Sequence, residues 1–265
     1  MADGEALTLS ARMNKASKKI HNLSNSFVNA KLVALLTDRE LYAKALSRFY
    51  VVFTALESAL DKALKQGDPD VGKFKTLFCD ASMYRAAAFR TDLEHLLGPD
   101  WETRCGPRSV PLQEYEHHLS LLASDQPRLL LAHCYTQHLG ITAGGQIVRR
   151  AVRKHLALPE GCGTAAFEFK GETSSAIKAH FKSTFDEWGR GLSEEDVQQL
   201  VSEHLTAFQF NNAIIRAFPI PAAAVAKGVL RVAPRPLLAA ALALLVLLVA
   251  LTVPWVAATL RSSRS

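Results

Sequence analysis

Apolar residues recur every three to four positions along most of the chain, and the breaks between these runs predict helices rather than strands. Leu9 to about Leu36 carries such a pattern through Met13, Ile20, Leu23, Phe27 and Val28. Thr37-Asp38 then offers an N-cap to Arg39–Lys65, whose stripe is Leu41, Ala45, Phe49, Val52, Phe53, Leu56 and Leu60. Gly67-Asp68-Pro69 ends that helix, and Phe74 to Leu97 reads as the next, closed by Gly98-Pro99. Beyond Gly106-Pro107 come Leu112–Ala123 and, after Pro127, a long helix containing three glycines. Gly161-Cys162-Gly163 is a loop, followed by Thr173–Trp188 and Ser193–Ala217. The last of these starts with a capping box of Ser193 and Asp196, with Asp in place of Glu. Repeated 3.6 periodicity with short connections predicts an all-α bundle.

The long helix holds the least ordinary stretch, AHCYTQHLGITAGGQ, from Ala132 to Gln146. Gly140, Gly144 and Gly145 stand between strong helix-forming flanks, although an interior glycine costs about 0.5–1 kcal/mol relative to alanine. A bare backbone at these positions suits either close helix packing or the approach of a flat ligand.

The two ends differ. Residues 1–8 form a polar tail with no apolar core of a secretory signal. Residues 9–218 constitute the helical domain, and 219–236 form a Pro/Ala-rich linker with Pro219, Pro221, Pro234 and Pro236, expected to be a semi-stiff spacer. Residues 237–260 are without a charge and flanked by arginines, long enough for a bilayer core that needs about 20 apolar residues. This predicts a transmembrane tail anchor in the lipid bilayer, most simply of the endoplasmic reticulum membrane, with the main domain facing the cytosol. At 265 residues, 49% hydrophobic and 21% charged, the chain is globular. Its net charge of +6 suits an anionic partner, but no basic run is interleaved with aromatics, so nucleic acid is not expected. The four cysteines have no metal-type spacing and read as buried or idle thiols.

Taken with Phe167–Phe169 (FEF) and LTAFQFNNAI from Leu205, the glycine stretch resembles the heme oxygenases. Their distal helix carries an A-H-x-Y-T-R-x-L-G-D-x-S-G-G-Q pattern, bent over heme. The likeness runs from about residue 10 to about 218. It implies a heme-oxygenase-like helical bundle, heme as both substrate and cofactor, dioxygen, and electrons from NADPH through a membrane flavoprotein reductase. In this register His21 is the proximal ligand to the heme iron, a role suited to a neutral imidazole. Asn25 stands where the family often has a Glu to orient that ring, and Asn14 where it often has Lys. Gly140 and Gly144 correspond to the catalytic distal backbone.

The resemblance also implies sites for the heme propionates. Lys178 and Lys182, an i,i+4 pair, match a Lys and an Arg of the family if a short insertion near Gly189-Arg190 is allowed. An ungapped register gives His180 and Thr184 instead; the lysine register is preferred because it pairs Phe181 and Phe185 with apolar positions. Lys18 is a further candidate, Tyr135 with Thr136 matches the pocket Tyr-Thr pair, and Phe208 and Asn211 match pocket residues.

One departure bears on catalysis. Where the family has an aspartate that holds distal water and helps deliver a proton to dioxygen, this chain has Ile141. Ala143 and Gln137 replace a serine and an arginine of the same region, leaving Thr142 as the nearest hydroxyl able to hold water. Two readings follow. The chain is a tail-anchored heme oxygenase producing biliverdin, carbon monoxide and ferrous iron, or a catalytically impaired heme-binding relative that senses, buffers or carries heme at a membrane.

Overall fold

The computed structural model describes residues 7–35, 37–78, 83–169 and 173–232, with the backbone alone at 25–30 in the first helix and at 229, 231 and 232 in the last. The orienting role expected of Asn25 and the anchor at 237–260 therefore lie outside the described residues. Among those described, no helix is long and apolar enough to cross a membrane.

The described chain is helical: α1 (Leu9–Leu35), α2 (Arg39–Lys65), short turns α3 (Pro69–Lys73) and α4 (Lys75–Phe78), α5 (Ala86–Leu97), α6 (Trp101–Arg104), α7 (Val110–Asp125), α8 (Leu130–Leu156), α9 (Ser174–Gly189), α10 (Glu194–Ala217) and α11 (Ala222–Val232). The caps read from sequence close these helices as expected. Asp38 accepts from Leu41 N at 2.9 Å, and Ser193 Oγ accepts from Asp196 N at 3.1 Å. Each cap satisfies an otherwise orphaned N–H, worth about 1 kcal/mol.

Two segments differ from expectation. The stretch 74–97 is not one helix. The buried carboxylate of Glu57 on α2 accepts Arg85 N at 2.5 Å and Ala86 N at 2.9 Å, so a tertiary contact starts α5 at Ala86. Nor is 219–236 simply a spacer, because Ala222–Val232 forms α11 and packs on α1. Pro219 and Pro221 precede this helix and Pro234 and Pro236 follow it, so no proline interrupts it. Gly228 is buried there, and a Cβ on it would strike the Val33 carbonyl of α1. The chain turns back at Phe218, where Lys31 of α1 donates its ammonium to the carbonyls of Ile215 (2.6 Å) and Phe218 (2.5 Å). A cation there satisfies the orphan carbonyls at the end of α10 and opposes the helix dipole.

α2 packs on α5 and α7, and α1 on α10 and α11, while α8 touches α2, α9 and α10. The first turns of α8 belong to one core, with Leu131 and Tyr135 among Leu56, Leu119, Phe181, Phe185 and Leu200. Its second half belongs to another, where Ile141 and Val152 meet Phe53, Phe89, Leu93 and Phe167. Asp92 of α5 fixes this second core by accepting Ala165 N and Ala166 N at 2.8 and 2.9 Å, which holds the turn carrying Phe167. α8 runs as one α-helix through all three glycines.

Candidate functional site

Between α1, α2, α8 and α10 lies a cavity of about 440 Å³. Asn14, Ser17, His21 and Ser24 face it from α1, spaced three and four apart and so on one side of that helix. Phe49 and Phe53 of α2, and Ile214 of α10, supply apolar wall. Along α8 the lining extends from Tyr135 to Val148.

Gly140 and Gly144 present bare backbone to this space. Both are exposed, and a Cβ on either would meet nothing within 4 Å. Gly145 is different: it is buried against Phe167, which a Cβ there would meet at 2.7 Å. One glycine of the three is needed for packing, and the other two keep a cavity wall flat.

His21 faces the same cavity from α1, its ring 5.9 Å from that of Phe208 and edge-on to it. Lys178 and Lys182 reach the cavity from α9, whereas His180 of the alternative register is solvent-exposed and Thr184 donates to its carbonyl, neither lining the space. Tyr135 Oη is buried near Asn14 and Ser10 without a well-aligned hydrogen bond, and burial pushes its pKa up to about 12. Thr136, Phe208 and Asn211 also line the cavity.

Two expected site residues stand elsewhere. Lys18 is exposed and off the cavity, because it follows Ser17 by one residue and is turned about 100° around the helix from it. Thr142 is buried and also off the cavity; its hydroxyl donates back to His138 O at 2.9 Å, so it offers no proton to the cavity. A threonine inside a helix commonly satisfies itself in this way.

The structure adds contacts that the sequence did not announce for the site. Gln137 Nε2 donates to Tyr115 Oη and to Asn211 Oδ1, both at 2.9 Å, making a joined amide patch on the cavity wall beside Ile141. His204 of α10 lines the cavity, with Nδ1 2.7 Å from Thr136 Oγ1. That hydroxyl gives its proton to Ala132 O, so Nδ1–H donates to it and Nε2 is left as a buried lone pair with no partner. Burial lowers this imidazole to about 4, keeping it neutral. Only the 68-residue separation of Thr136 and His204 hid this pair; no local motif announces it.

These features fit a flat, anionic, iron-bearing ligand. Bare backbone admits a planar ring, an imidazole can ligate iron, and two lysines with a partnerless phenol can meet carboxylates at its edge. Fold and cavity together define a helical protein with a largely apolar cavity that two lysines border. Residues 7–217 match the heme oxygenase family, and the chain belongs to that family. It is 54% identical to heme oxygenase 2 from Chlamydomonas reinhardtii, solved without heme, covering 82% of this chain and 100% of that one with a TM-score of 0.79. Heme oxygenase-2 from Synechocystis, solved with heme and NO, is 26% identical over 80% of this chain and 85% of its own, with a TM-score of 0.70. The heme oxygenase of Rhodella violacea is 27% identical over 78% of this chain and 86% of its own.

Proposed function

We propose that this chain is a heme oxygenase, cleaving heme to biliverdin, carbon monoxide and ferrous iron. The observation that carries the reading is the meeting of His21, the bare backbone of Gly140 and Gly144, and the Lys178–Lys182 pair around one cavity. Bound heme supplies its own iron as the oxygen-activating centre, so it is substrate and cofactor together. His21 offers the iron an imidazole. Gly140 and Gly144 leave room for the ring face, and Tyr135, Lys178 and Lys182 hold the propionates. Ile141 and Phe53 keep bulk water from the apolar side, while the amides of Gln137 and Asn211 provide the hydrogen-bonding groups that hold water at the distal wall.

In the same reading the electrons for dioxygen come from NADPH through a membrane flavoprotein reductase. The uncharged stretch 237–260 anchors the chain, with the endoplasmic reticulum as the first membrane to test. Carbonate extraction and imaging of the full chain, with and without residues 237–265, address that part separately.

The central test loads the protein with hemin and adds NADPH and a flavoprotein reductase, with catalase present to remove free peroxide. Loss of the Soret band with appearance of biliverdin supports the oxygenase. Heme that binds and persists, or bleaches without biliverdin, makes the chain a heme-binding relative instead.

A further inference from the structure

Away from the cavity, three helices bring two imidazoles and a carboxylate to one point. His118 Nε2 of α7 lies 2.6 Å from Glu203 Oε1 of α10, and His133 Nε2 of α8 lies 2.7 Å from the same oxygen. One donor atom from each residue lies within 4.8 Å of the others. We propose that His118, His133 and Glu203 form a binding site for a divalent cation of the zinc class.

The donor set is the first argument. Two imidazole nitrogens with one carboxylate oxygen suit zinc, whose bonds of about 2.0–2.2 Å place ligand atoms roughly 3.3 Å apart in a tetrahedron. Glu203 and His118 need to draw back by only about half an ångström to admit the ion.

Support for the ligands is the second. His133 is wholly buried, and its other nitrogen, Nδ1, lies 2.8 Å from Tyr115 Oη, the outer contact that fixes a ligating ring. Tyr115 is itself held flat against Phe210, with centroids 4.6 Å apart and planes 6° from parallel, and His118 leans on the same Phe210 ring. One ligand is therefore rigid. The other two sit at the surface, with side chains 27% exposed at His118 and 13% at Glu203, so an ion can enter and keep water in its fourth position.

Charge is the third. Glu203 is the acid of the cluster, and its Oε1 takes both imidazole contacts. With its side chain 13% exposed, this carboxylate stands in a partly buried place. A divalent cation neutralises it more fully than the two N–H donors do.

Occupancy has a consequence at the cavity. His133 Nε2–H donates to Glu203, so Nδ1 takes the Tyr115 proton while Tyr115 Oη accepts from Gln137. With a metal on Nε2, the remaining proton of His133 sits on Nδ1 and points at Tyr115. The tyrosine must then donate to Gln137, whose amide turns over together with its partner Asn211. The cation thereby reverses the hydrogen bonding of two residues on the cavity wall. This last step rests on the heme-binding reading for its importance, whereas the metal site does not.

The test titrates cobalt(II) into the full chain without heme and reads the visible ligand-field absorption of a four-coordinate ion. Wild-type protein should bind one equivalent, zinc should displace it, and zinc should raise Tm. His118→Gln keeps an N–H for Glu203 but offers no imidazole, and should weaken cobalt binding ~100-fold with the circular dichroism spectrum unchanged. His117→Gln, on the neighbouring exposed position, should bind as wild type does. Absence of the ligand-field band, or equal binding by wild type and His118→Gln, overturns the proposal. No heme is present, so these outcomes are independent of oxygenase activity.

Discussion

Phe167 presses on Gly145 so closely that a Cβ there would stand 2.7 Å from its Cδ1, whereas Gly140 and Gly144, five residues and one residue earlier, border open space on the same helix. The three glycines should respond to alanine in opposite ways. Gly145→Ala must displace a buried ring and should lower stability by about 1–3 kcal/mol. Gly140→Ala and Gly144→Ala gain helix propensity without a clash and should raise the stability of heme-free protein by up to about 1 kcal/mol each. Both should weaken heme binding, because their methyl groups enter the cavity. Urea unfolding of the heme-free variants and hemin titration separate the two effects. If Gly140→Ala and Gly144→Ala bind hemin like wild type, the cavity is not where the ring lies.

His21→Ala should alter the ferric heme spectrum and abolish turnover without loss of the fold, since the side chain is exposed on α1. Added imidazole should restore a wild-type-like spectrum by filling the vacated space beside Phe208. A variant spectrum identical to wild type would assign iron ligation to another residue.

Most of this fold is written locally. Asp38 and Ser193 announce helix starts because a cap needs only its own next three residues. The glycines of α8 are legible for the same reason, as departures from a local pattern, whereas His21 is singled out only by the family resemblance and not by its spacing. What escaped was set by distant partners. Glu57 starts α5 from 28 residues away, and α11 exists because α1 offers Val33 to Gly228. Thr142 was misread because a hydroxyl four residues from a helical carbonyl prefers that carbonyl to a cavity. The His118–Glu203–His133 cluster spans 85 residues of chain and leaves no local motif at all.

Lys178 and Lys182 should act on affinity and not on folding. Both approach the cavity from outside, with Lys178 exposed and Lys182 half-buried, so each contributes about 0.5–1 kcal/mol toward an anionic edge. Reversing both charges, Lys178→Glu with Lys182→Glu, should raise the hemin Kd roughly tenfold or more, and added salt should narrow the gap. Lys18→Glu, off the cavity, should leave the Kd within about twofold, the outcome expected of a surface charge beyond contact range.

Stability should fall as pH drops below about 6.5. Burial lowers both His138 and His204 to about 4, so between pH 6.5 and 4 the unfolded chain takes up these protons while the native one does not. Each contributes on the order of 3 kcal/mol of loss. Asp92 works the other way in part of that window. Burial raises it to about 6, so the native state takes its proton first and regains a similar amount. Glu203, held at about 2, extends the loss below pH 4.5. Urea midpoints from pH 8 to 4 should decline, and His138→Gln should flatten the decline between 6.5 and 4. A midpoint independent of pH in that range would mean that these histidines are not kept neutral in the native state.

Ile141 decides how far the distal wall can serve catalysis. It is 7% exposed, packed with the second core and lining the cavity beside the Gln137–Asn211 amides. Ile141→Asp loses apolar burial and places a carboxyl against Phe53 and Phe167, so heme-free stability should drop by about 2–4 kcal/mol. The same carboxyl would bring a titratable proton donor to a wall that now offers only amides. If the natural chain turns heme over slowly for want of such a donor, Ile141→Asp should raise biliverdin formation severalfold despite its lower stability. If turnover instead falls with stability, the amides and the water they hold already suffice, and isoleucine belongs to a working distal site. The pair of readouts, urea midpoint and biliverdin rate in one variant, separates a damaged core from an altered catalyst.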